Sequence, residues 1–190
     1  MIKRYLMVVL ILFLLCFTNV FAEVETPVII PAQVYETAVF SADRFGVPVE
    51  NVLAMILVEN RNFDIRLRSK TKDSGMCQIK DGILKDFYSC GFNDVYNLHE
   101  NIEFGTMRLK WAYDKYRDWN KTYMVYNLGD GRAKRLFQKG LTQSGYSRKC
   151  MEYLKIKNQW KIKALDGRLY TLPDYDAIFF FGLRGRYEWN

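Results

Sequence analysis

Histidine is nearly missing from this chain: His99 is the single one among 190 residues. It has no partner ligands nearby, and the spacing of Cys16, Cys77, Cys90 and Cys150 fits no zinc pattern, so neither a metal centre nor any other cofactor is expected. Internal repeats and low-complexity tracts are also absent, which sets repeat architectures aside. No apolar run is long enough for a comfortable membrane span. The segment Leu6 to Phe17 is too short, and Ile178 to Leu183 is far shorter. The aromatic residues fall at core spacing and are not interleaved with a basic stripe, so nucleic acid is not the expected partner.

What is present describes one ordinary globular domain, with 49% hydrophobic and 26% charged residues. Lys3 and Arg4 precede the first apolar run, and Val20-Phe21-Ala22 supplies residues that a signal peptidase accepts. Residues 1–22 therefore read as an export signal, cut after Ala22, with the mature chain in the periplasm or cell envelope and without a stable membrane span. Leu15 before Cys16, where a lipoprotein signal wants a small residue, argues against a lipid anchor. Loss of Lys3 and Arg4 reduces the formal charge from +7 to +5. That balance suits a polyanionic partner such as a cell wall or membrane surface, or simply a solvated exterior. Three cysteines remain after signal removal. Cys77–Cys90 would close the shorter loop, and three free thiols is an equal reading.

Residues 23–33 form a lead-in bounded by proline, without helical period. From Gln33 to Phe45 apolar residues recur at helical spacing, and Gly46 fits a C-cap. Helices are also expected over Gly75–Phe87, Glu100–Tyr116 and Ser144–Ile156, and another begins at Lys121 and is interrupted over Asn127–Gly131. Asn60 to Ser74 reads as a loop. Beyond residue 156 the pattern alternates around Asp166-Gly167, a hairpin signal, giving a C-terminal extension over 157–190. The fold class is mainly α, with the main domain over 34–156 and a possible β-hairpin in the extension.

One segment concentrates the chemistry. Val52-Leu53-Ala54-Met55-Ile56-Leu57-Val58 is too apolar to face water on any side, and Glu59 closes it. It reads as a buried helix that carries one carboxyl group to the edge of the core. Burial disfavours the charged form, so Glu59 should hold its proton near neutrality, as a general acid must. Downstream come Phe63, Ser69, Asp73-Ser74-Gly75-Met76-Cys77-Gln78-Ile79, Trp119, Tyr126-Asn127-Leu128-Gly129 and Tyr146.

This order and spacing resembles the soluble, goose-lysozyme-like (SLT) lytic transglycosylases. With Asn101-Ile102 and Gly105 included, it is most similar to the small enzymes of secretion, conjugation and pilus systems. The likeness runs from about Val34 to Leu154. Two departures stand out: Asn60 follows the glutamate where the family has Ser, with one extra residue before Phe63, and Leu128 stands where the family favours Ala.

The resemblance implies a lysozyme-like fold acting on peptidoglycan glycan strands, in association with an envelope-spanning complex. It makes Glu59 the single acid/base, protonating the glycosidic oxygen between N-acetylmuramic acid and N-acetylglucosamine. As carboxylate, Glu59 would then take the proton of the sugar's own 6-hydroxyl, closing a 1,6-anhydro ring. Ser69 and Tyr126 are candidates to hydrogen-bond Glu59 or the substrate N-acetyl group. Gln78, in the first turn of its helix, suits sugar amide contacts. Gly75 would let the backbone approach the glycan. Asn127 shapes a turn, and Tyr146 lines the cleft or belongs to the core. Asp73 is either an N-cap for the helix after Ser74 or a second carboxylate. If it lies about 5–9 Å from Glu59, a hydrolysing muramidase is the rival. A non-catalytic wall-binding assembly subunit is the other.

Overall fold

The structure, a computed structural model, describes residues 27–187, with side chains through residue 180; the expected export signal lies outside them. The chain begins with strand β1 (Ile29–Pro31), followed by helices α1 (Ala32–Phe45) and α2 (Val49–Glu59). A short hairpin of β2 (Asp73–Ser74) and β3 (Ile79–Lys80) precedes α3 (Leu84–Ser89). Then come α4 (Leu98–Tyr116), α5 (Trp119–Leu128), α6 (Asp130–Phe137) and α7 (Gly145–Lys155). Strands β4 (Lys161–Lys163) and β5 (Leu169–Thr171) and helix α8 (Leu172–Tyr187) complete the fold, which is mainly α as expected.

Local chemistry sets most of these boundaries. Gly46 ends α1 in the left-handed region at φ 62°, and its N–H bonds back to Ala42 and Asp43. Pro48 immediately precedes α2. Asn97 caps α4 by accepting from the His99 and Glu100 N–H groups. Ser144 and Ser147 form a reciprocal capping box at α7. α2 is the central helix: Val52, Leu53, Ala54, Met55 and Ile56 are fully buried, packed by α1 on one side and α7 on the other. Each large apolar side chain withdrawn from water there contributes roughly 1.5–3 kcal/mol.

The expected helix over Gly75–Phe87 is not formed. Residues 73–80 make the β2–β3 hairpin, a 3₁₀ turn follows at Asp81–Ile83, and α3 starts only at Leu84. Gly75 at φ 77° and Gln78 at φ 46° break any helical run, and buried Asn101 takes the backbone groups a helix would have used. The break at Asn127–Gly131 is also narrower than its sequence suggests. α5 runs to Leu128, Gly129 turns the chain at φ 77°, and α6 starts at Asp130.

The C-terminal segment is woven into the body. β4 and β5 form the expected antiparallel hairpin, but β4 also pairs in parallel with β1, Ile30 opposite Ile162. Trp160 and Ile162 are fully buried in the same cluster as α2. α8 docks on α1, with Tyr35 donating to Asp176 at 2.6 Å and Tyr175 to Glu36 at 2.5 Å. Phe179 packs edge-on against Phe40. The Cys77–Cys90 pairing is not formed: Cys77 is buried, Cys90 is exposed at the end of α3, and both are free thiols, as is buried Cys150.

Candidate functional site

Glu59 is the last residue of α2, half-buried, and lines a cleft of about 590 Å³. Burial raises its pKa from 4.5 to about 7; Asp73 adds to the rise, while the Tyr146 hydrogen bond and Lys80 oppose it. Position reinforces burial, because the C-terminal end of a helix disfavours negative charge and the last turn of α2 holds no cation. Tyr146 on α7 donates its hydroxyl to Glu59 Oε1 at 2.7 Å. That bond fixes the carboxyl's orientation; the Tyr146 ring packs against the main core behind Glu59 and is not among the residues lining the cleft. Burial, and then the neighbouring Glu59, hold the Tyr146 phenol well above its usual range, so it remains a donor.

The hairpin forms the facing wall. Asp73, Gln78, Ile79 and Lys80 all line the cleft with Glu59. Asp73 does not cap a helix, since none follows it. It sits in β2 opposite Lys80 and accepts from Thr71 Oγ1 at 2.7 Å. Ser69 is brought to Asp73 and not to Glu59. Its Oγ accepts the Asp73 N–H at 3.0 Å and lies 3.3 Å from Asp73 Oδ2, so it shapes the 69–73 turn. Gln78 lies in the hairpin turn, its amide donating to the Gly75 carbonyl at 2.8 Å. Gly75 serves the interior: a Cβ there would collide with the Asn101 amide and, at 2.7 Å, the Val95 carbonyl. That geometry explains the glycine better than a close approach to glycan does.

Tyr126, expected to present its hydroxyl to Glu59, instead donates to the Cys77 carbonyl at 2.8 Å and so braces the hairpin against α5. Asn127 lies in the last turn of α5, lines the cleft, and accepts from Lys80 Nζ at 2.5 Å through its carbonyl. Lys80 therefore bridges the hairpin and α5 from one side of the cleft to the other.

Several residues that organise the site were given no role from sequence. Asn101, 1% exposed, accepts from Cys77 N at 2.7 Å and donates to Ser74 O at 3.1 Å and Val95 O at 2.7 Å. Gly105 on α4 leaves room for Cys77, whose Sγ would lie 2.7 Å from an added Cβ. Asn60, where the serine was expected, is buried. It donates to Asp64 O at 2.6 Å and Gly75 O at 3.3 Å, tying the loop after Glu59 to the hairpin. The Asn-Ile pair and the glycine stood in the motif pattern, but their partners are distant in sequence. Lys80 was hidden by the helical reading of its segment.

A half-buried acid that holds a proton near neutrality, oriented by one hydroxyl at the wall of an open groove, can deliver that proton to a bound ether oxygen. It can then accept one as carboxylate. His99 takes no part: its ring faces Thr37 Oγ1 at 3.3 Å.

A family model described as "Transglycosylase SLT domain" matches residues 37–147, more than half of the chain and a span that contains every residue from Glu59 to Tyr146 discussed above. No curated protein matches the sequence. Among solved structures, the 70 kDa soluble lytic transglycosylase SLT70 from Escherichia coli is similar, with 18% identity and a TM-score of 0.54 over 62% of this chain and 23% of that one. An inactive mutant of the lytic transglycosylase Slt from Pseudomonas aeruginosa matches with 15% identity and a TM-score of 0.51, over 72% of this chain and 26% of that one. The chain thus spans about a quarter of the length of either protein, and the likeness lies in the fold.

Proposed function

Because the chain belongs to the transglycosylase SLT domain family, we propose that it is a peptidoglycan lytic transglycosylase. It cuts the β-1,4 bond from N-acetylmuramic acid to N-acetylglucosamine and leaves 1,6-anhydro ends. The observation that carries this reading is Glu59: pKa raised to about 7, hydroxyl of Tyr146 at 2.7 Å, open cleft in front. Protonated Glu59 gives its proton to the glycosidic oxygen as the C1–O bond breaks. The resulting carboxylate takes the proton of the 6-hydroxyl as that oxygen bonds to C1. Glu59 ends protonated again and no water is consumed. Gln78 and Asn127 supply polar contacts along the cleft for the sugars, Lys80 ties its two sides together, and Tyr126 and Ser69 support the walls.

A second reading has one observation in its favour. Asp73 lines the same cleft and its charge helps raise Glu59, so a water held between two carboxylates would give hydrolysis. Digestion of purified sacculi by wild type and Glu59→Gln, with the products weighed, separates the two. Anhydromuramyl ends, one water lighter than reducing ends, support the transglycosylase. Reducing ends overturn it in favour of the muramidase. Full activity of Glu59→Gln would overturn both.

The reading extends to export through residues 1–22 and to service beside an envelope-spanning secretion, conjugation or pilus complex. Fractionation of cells producing the full chain tests the first part, with the mature protein expected in the envelope fraction. Co-purification after envelope crosslinking tests the second.

A further inference from the structure

The cleft carries more positive charge than the acid/base step uses. Arg108 on α4 and Arg132 on α6 line it together with Glu59, and Arg132 also lines an adjoining groove of about 460 Å³. That second groove holds Arg135 and Lys139 and no acidic residue. Arg132, Arg135 and Lys139 are exposed, and Arg108 is half-buried over the Phe104 ring. Among the described residues none of these four cations takes part in an ion pair.

Of the nearby acids, Asp73 lines the cleft itself and accepts from the Ser69 and Thr71 hydroxyls, and the others are engaged elsewhere. Asp81 pairs with Arg68 at 3.0 Å, and Asp130 holds Lys115 at 2.7 Å and the Tyr116 hydroxyl at 2.6 Å. Lys80 is likewise taken, by the Asn127 carbonyl. A track of unpaired cations thus leads out of the cleft along α6, through Arg132 and Arg135, to Lys139 in the turn that follows it. Guanidinium groups match carboxylates by fork geometry, and neutral sugar hydroxyls do not require them.

We infer that this α6 track, Arg132, Arg135 and Lys139 with Arg108 at its inner end, is a carboxylate-binding arm of the cleft that takes the anionic peptide stems of the glycan strand. The inference rests on the proposed activity and makes the preferred substrate peptide-bearing peptidoglycan, with the acid/base step untouched. Contacts remote from the reacting bond bind ground state and transition state alike, so they act on KM and leave kcat alone.

The test compares native sacculi with sacculi whose carboxyl groups have been converted to amides by carbodiimide and ammonia. Wild type is expected to show an apparent KM about tenfold higher on the amidated material, the size three exposed ion pairs supply together, with kcat within about twofold. The triple variant Arg132→Gln/Arg135→Gln/Lys139→Gln should already show that higher KM on native sacculi and change little on amidation. A control with the same charge loss, Arg148→Gln/Lys149→Gln/Lys155→Gln on exposed positions of α7, should keep the wild-type ratio. The inference is overturned if the α6 triple stays as sensitive to amidation as wild type, or if the α7 control loses the ratio equally. Sedimentation with both kinds of sacculi in a Glu59→Gln background reads the same ratio as binding. Failure of the carboxylate arm is thereby told apart from failure of the proposed cleavage.

Discussion

The two walls of the cleft are built by different physics. α2 is held by apolar burial on every side, and its position follows from the side chains it carries itself. The β2–β3 hairpin opposite is only two residues per strand and is held by polar groups from elsewhere: Asn101 and the Gly105 gap on α4, Tyr126 on α5, Asn60 after α2. Damage to the first wall should therefore appear as lost stability, and damage to the second as lost geometry.

The acid at the end of the first wall gives the largest expected effect. Glu59→Gln should lower turnover by about 10²–10⁴-fold while wall binding and fold persist, measured as release of soluble muropeptides beside sedimentation with sacculi. Retained turnover would move the chemistry to the hairpin wall and to Asp73.

Two substitutions of similar thermodynamic size then separate the walls. Leu53→Ala opens a cavity inside α2's packing and should cost about 2–5 kcal/mol in urea unfolding, with kcat at low temperature unchanged. Asn101→Ala strands the Cys77 N–H and the Ser74 and Val95 carbonyls and should cost about 2–4 kcal/mol. Here kcat should fall as well, because Gln78 and Lys80 lose their support. If both variants lose kcat equally, the contrast between the walls fails.

That contrast also explains what the sequence made legible. An unbroken apolar run ending in glutamate admits one interpretation, and the caps at Gly46 and Ser144 act within a few residues of themselves. All three are local, and the α1, α2 and α7 boundaries came out within a few residues. The hairpin is not local. Ile79, Ile83, Leu84 and Phe87 fit helical spacing, and the contact that forbids it comes from Asn101, 24 residues after Cys77. The parallel pairing of β1 with β4 joins Ile29 to Lys161, and no short window contains both. The paired glycines around Asp130 read as an interruption, although an acid beside the N–H end of a helix is a favourable start. Site residues were legible as members of a motif, while their partners were not. Tyr126 was the candidate partner of Glu59, yet its hydroxyl goes to the Cys77 carbonyl and Tyr146 donates to Glu59, because only the folded α7 decides which hydroxyl reaches it.

A smaller effect comes from proton linkage at the first wall. Folding raises the Glu59 pKa from 4.5 to about 7, so the folded protein binds this proton more tightly than the unfolded chain does. Below the lower value both states are protonated and the group contributes nothing. Between the two values the unfolded state ionises first, and stability falls as pH rises. Above about 7 the loss is complete, on the order of 1–3 kcal/mol. Glu59→Gln removes this dependence, so the variant should be the more stable protein at pH 8 and equal to wild type near pH 4. Urea midpoints across that range check the sign, and a variant less stable at pH 8 would show that the carboxylate is not penalised.

The finest distinction concerns Tyr146, which reaches Glu59 from behind the first wall. Its hydroxyl favours the carboxylate form and holds the Glu59 pKa below the value burial alone would give. Tyr146→Phe should therefore move the alkaline limb of the kcat profile up by about one pH unit, since the acid keeps its proton longer. At pH 6 the acid is mostly protonated in either protein, so turnover there should change only a few-fold. A hydroxyl that contacted the sugar instead would, on removal, depress kcat/KM at every pH and leave the limb in place. The pH profile of this one variant thus decides whether Tyr146 acts through Glu59 or directly on the glycan.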